Sequence, residues 1–111
     1  MSETVIEEVH AQLINENNGE KTLIIRVSDM SFWVFDKIER ELYYFEFIGT
    51  NIDEQSSNIN MLMANYRTRV YAEFSVPLSE FYKTSTGSGT IAFAEEYIDK
   101  FKNEDNKMFI K

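Results

Sequence analysis

The residues best suited to chemistry lie between Lys83 and Thr90, KTSTGSGT, directly ahead of an amphipathic segment. Gly87, Ser88, Gly89 and Thr90 could offer backbone N–H groups and hydroxyls to an anion at a helix N-terminus. The phosphate-binding P-loop needs a lysine directly after its last glycine; here Thr90 follows Gly89 and Lys83 lies upstream. A surface loop with an ordinary N-cap explains the same residues.

His10 is the one histidine and there is no cysteine. Thiolate nucleophiles, disulfides and cysteine-based metal centres are therefore excluded. A metal on His10 would need carboxylates from elsewhere in the fold, so neither a metal nor another cofactor is expected. General acid–base catalysis by two of the 19 acids is open in principle. The adjacent pairs Asp53-Glu54, Glu95-Glu96 and Glu104-Asp105 fall in a loop, on a solvated helix face and in a turn, where they read as surface charge. Arg67 and Arg69 lie beside Tyr66 and Tyr71, a grouping able to stack bases or anchor a protein. Pairing of an arginine with Glu41 or Glu46 across strands is the simpler reading.

Net charge is −8, and the first twenty residues hold Glu3, Glu7, Glu8, Glu16 and Glu20 with no lysine or arginine. That potential repels phosphate backbones and attracts basic partners, so direct nucleic-acid binding is not expected. Carboxylates spaced along one surface could instead imitate the phosphates of DNA, a device suited to small inhibitors carried by phages and mobile elements. Acidic solubility explains the same charge. The start MSETVIEEVH lacks a basic, apolar leader, and no run approaches the roughly 18 apolar residues of a membrane span. A cytoplasmic protein that meets no membrane is expected.

These groups must be positioned by a core, and residues 31 to 48, SFWVFDKIERELYYFEFI, are its richest source of apolar area. A helix fits Phe32, Phe35, Ile38, Leu42 and Phe45 on one stripe. A hairpin, with strands near 31–36 and 41–48 about the bend 36–40, better suits seven aromatics and two β-branched residues. Both faces of such a sheet carry bulk, so one should lie under helices and the other be partly covered or used for association.

Residues 2–14 read as a helix with capping-box spacing from Thr4 to Glu7, and a strand is the competing reading. Residues 21–28 read as a strand. After an irregular stretch from 49 to 60, Ile59, Leu62, Met63 and Tyr66 have the spacing of a helix. Val70, Ala72, Phe74 and Val76 alternate as a strand that Pro77 ends, with one helical turn over 78–82. Residues 90–103 form a helix burying Ile91, Ala94, Ile98 and Phe101, and 107–111 a short closing strand.

The chain is expected to form one α+β domain over 1–111: a mostly antiparallel sheet of four to five strands, with the helix at 90–103 on one face and a helix near the N-terminus. The expected function is binding without catalysis, as an acidic adaptor or inhibitor of another protein with a basic surface, using Glu3, Glu7, Glu8, Glu16 and Glu20. The alternative is a self-associating subunit, a homodimer with Trp33, Tyr43, Phe45 or Tyr71 at its interface. An enzyme built on the anion-binding loop at 84–90 is a minor third reading.

Overall fold

A computed structural model describes residues 20–52 and 57–109 of the chain. The helix expected over 2–14, and His10 within it, lie outside the described residues. The described order is β1 (Thr22–Ser28), β2 (Ser31–Asp36), β3 (Glu41–Ile52), β4 (Ser57–Asn65), β5 (Val70–Pro77), α1 (Leu78–Lys83), α2 (Gly87–Lys102) and β6 (Met108–Phe109). Each strand pairs with the next in sequence, giving one antiparallel meander of six strands. The fold is α+β as expected, with more strands than the four to five read from the sequence.

The aromatic stretch is the hairpin β2–β3, with Phe32 opposite Phe45 and Val34 opposite Tyr43. Its bend is held by Asp36, whose Oδ1 accepts the N–H groups of Ile38 and Glu39 at 3.0 and 3.2 Å. The β4–β5 bend repeats this device. Asn65 Oδ1 accepts the N–H groups of Arg67 and Thr68, both at 3.0 Å. Each bend ends on an arginine in the left-handed region, Arg40 at φ 58° and Arg69 at φ 61°. An aspartate or asparagine side chain replacing a backbone acceptor is what lets these loops turn in four residues.

The helix expected from Ile59, Leu62, Met63 and Tyr66 is instead strand β4, paired with β3 and β5. Ile59, Met61 and Met63 alternate into the core, while Leu62 lies on the opposite face and Tyr66 in the bend that follows. With apolar residues at both parities, helical and strand periods fit equally well. Neighbours on both sides then decide the outcome, since each supplies a ladder. The stretch from 49 onward is likewise more regular than expected: β3 continues to Ile52 past a bulge between Phe47 and Gly49.

Helix α2 starts at Gly87, three residues before the expected boundary, because Thr86 caps it by accepting the Gly89 N–H. It buries Phe93, Ala94, Tyr97, Ile98 and Phe101 against Ile24, Phe32, Val34, Tyr43, Phe45 and Phe47 of the sheet. Phe32 and Phe45 stack at 4.9 Å, and Phe101 meets Tyr43 edge-on at 5.4 Å. Polar ties hold both ends of the helix. Near its start, Arg26 donates to the Thr84 carbonyl and the Thr90 hydroxyl and lies over the Phe32 ring. Near its end, Lys102 sits 3.4 Å from Asp36 and 3.5 Å from Glu39.

Candidate functional site

Because α1 and α2 pack on the same face, the described residues place no helix over the other. Register puts Ile25, Trp33, Tyr44, Ala64, Tyr71 and Met108 in a single row across all six strands of that open face. One residue pair along each strand, Ser31, Glu46, Leu62 and Glu73 form a second row. Trp33 is the centre of an aromatic group. Its ring lies 4.9 Å from Tyr44 and 5.7 Å, nearly perpendicular, from Tyr66, which is 66% exposed.

Trp33, Tyr44, Ala64, Asn65, Tyr66, Arg67 and Arg69 line a hollow of about 440 Å³. Arg67 donates from Nε to Glu41 at 3.0 Å and closes a second contact with the same carboxylate through its Nη2. The cross-strand pairing read from the sequence is thus present on Glu41. This guanidinium holds the Glu41 carboxyl below its ordinary value, with burial acting the other way. Among the described residues Arg69 joins no ion pair, and neither does Glu73. Tyr44 donates to Glu46 at 2.6 Å, and burial followed by that bond pushes its phenol above the ordinary value. The hollow thus joins flat apolar walls to a guanidinium, that of Arg69, in no ion pair among the described residues, a combination able to hold an apolar side chain beside a carboxylate.

The expected interface residues divide between the faces. Trp33 and Tyr71 belong to the open face, whereas Tyr43 and Phe45, 2% and 0% exposed, are core beneath α2 and present no surface. The two-residue period of a strand and the register explain the split: Trp33 pairs with Tyr44, so Tyr43 and Phe45, one position to either side, face the other way.

The glycine-rich residues form the first turn of α2. Gly89 already gives its N–H to Thr86. Thr90 is buried; its hydroxyl stands 2.7 Å from both the Thr84 and Thr86 carbonyls, donating to one, and accepts from Arg26 at 3.0 Å. Gly87 is half-buried and Ser88 exposed. Ser88, Gly89 and Thr86 share a cleft with Glu80, Lys83 and Glu96, and its lysine is already held by Glu80 at 2.9 Å, which weakens its pull on an anion.

Of the acidic group, Glu20 is exposed, and Glu3, Glu7, Glu8 and Glu16 lie outside the described residues. A separate groove gathers Asp36, Glu39, Glu95 and Asp99 with Lys21 and Lys102. Three of its four carboxylates are answered from within, Asp36 and Glu39 by Lys102 and Glu95 by the Thr22 hydroxyl at 3.3 Å. Among the described residues no three metal-ligating side chains converge, and no helix is long and apolar enough to cross a membrane. Tyr44, Ala64 and Ile25 were not singled out by sequence; only the pairing register brings them beside Trp33. In comparisons with protein-family models, curated proteins and solved structures, nothing matches this chain.

Proposed function

We propose that the protein is a small acidic binding module, an adaptor or inhibitor without catalytic turnover, that docks another protein chain on the open face of its sheet. The observation that carries this reading is the row of apolar and aromatic side chains from Ile25 to Met108, opposite the helix-covered face. Antiparallel sheets that face water usually alternate apolar inward with polar outward. A face that no described helix covers and that is rich in aromatic residues departs from that rule, and such patches mark interaction surfaces. The open face supports docking by apolar contact, since its described carboxylates, Glu46 and Glu73, flank Leu62 singly.

Affinity capture with the full chain tests the reading. Proteins captured by the wild type are expected to be lost, by about tenfold or more, with Trp33→Ala. They should be retained with Lys100→Ala on the solvent side of α2. Equal capture by the two variants, with far-ultraviolet circular dichroism unchanged, would contradict an open-face site.

A further inference from the structure

We infer that the protein closing the open face is a second copy of this chain, packed face to face about a two-fold axis; the inference rests on the docking-face reading above. The arrangement of charge carries it. Arg69 and Glu73 stand two residues to either side of Tyr71 in the chain, and among the described residues neither is in an ion pair. At about 3.3 Å per residue each is some 7 Å from Tyr71, Glu73 along β5 and Arg69 on the opposite side, where the bend that precedes the strand ends. A two-fold axis lying between two such faces, and running along the row that holds Trp33 and Tyr71, exchanges the two ends of every strand. Arg69 then lies over the partner's Glu73, and by symmetry the pair forms twice. Leu62 in β4 and Tyr66 at the start of the bend flank Ala64 likewise. The exposed aromatic is thereby carried onto the partner's Leu62, and Trp33 onto the partner's Trp33.

Strand directions in stacked sheets stay within about 30° of one another, so this is a familiar sandwich geometry. The footprint is adequate for a weak dimer. The five long strands, about 4.8 Å apart, span roughly 19 Å, and six residues along a strand roughly 20 Å. Side-chain relief raises this area of about 400 Å² toward the roughly 800 Å² per partner of a standard interface. A second copy also fits better than a polyanion, because Glu41 already engages Arg67 and Glu46 and Glu73 share the face.

Sedimentation equilibrium of the full chain, up to roughly 100 µM, is expected to show a dimer with a micromolar constant. Arg69→Glu and Glu73→Arg should each weaken association by about tenfold, because each places like charges opposite one another twice. The double variant should return to within about threefold of wild type. Both side chains are exposed, so circular dichroism should be unchanged throughout. A monomer across the range overturns the inference, as does a dimer indifferent to the single reversals or not restored by the double. A monomer that still captures another protein through Trp33 removes the second copy alone; a monomer whose capture ignores Trp33 removes the docking face as well.

Discussion

Phe45→Ala is expected to destabilise the domain by about 3–5 kcal/mol, a large part of the roughly 5–15 kcal/mol that holds a domain of this size folded. Phe45 is fully buried, stacks on Phe32 at 4.9 Å and lies 6.4 Å from Phe93 of α2. Truncation therefore opens a cavity between sheet and helix that neither can close without losing other contacts. Tyr44→Ala, one residue away, should cost markedly less, because Tyr44 faces the open side and is only half-buried. Urea denaturation of the two variants checks this directly. Equal losses would mean that the strand register, and with it the division into a core face and an open face, is wrong.

The second large effect runs against helix propensity. Gly89 sits inside α2, where alanine is ordinarily favoured by about 1 kcal/mol. Here an added Cβ would stand 1.9 Å from the Lys83 carbonyl oxygen and 2.9 Å from its carbon, both backbone atoms, and 2.7 Å from Thr86 Oγ1. The α1–α2 turn must shift, which strains the Thr86 cap and the Thr84 carbonyl that Arg26 and Thr90 both contact. Gly89→Ala is expected to lose about 2 kcal/mol net, combining overpacking and cap loss against the propensity gain. Thermal denaturation reads it, with Gly49→Ala as the control, since nothing lies within 4 Å of a Cβ at Gly49. A stabilised Gly89→Ala protein would show that the turn is not packed against this glycine.

Glycine at 89 is thus first a matter of space. The sequence suggested a ligand loop because Ser/Thr/Gly-rich segments serve both anion sites and tight helix starts. Only the position of the Lys83 carbonyl separates the two uses.

The strands of the aromatic hairpin, the Val70–Val76 alternation and the C-terminal helix were legible because each has a dominant period and a clear stop, Pro77 among them. β4 was not. Its Leu62 lies on a face that is itself apolar, so the inward series Ile59, Met61 and Met63 did not stand out from its background. The open face explains both the misread strand and the candidate site. The sequence did put bulk on both sides of the aromatic sheet, with one side expected under helices and the other partly covered or used for association. Which aromatics occupied which side required the register, and the separation of Tyr43 and Phe45 from Trp33 and Tyr71 follows from it.

Trp33 is the chain's one tryptophan, and it lies at the centre of the proposed docking face. Its fluorescence is therefore the most direct report on whether that face is used. In the complex, whether concentrated homodimer or captured partner, the emission maximum should move to shorter wavelength. Quenching by acrylamide should fall severalfold relative to the dilute free chain, as expected for an aromatic anchor sealed from water. A complex in which Trp33 stays as open to quencher as in the free chain would contradict the account.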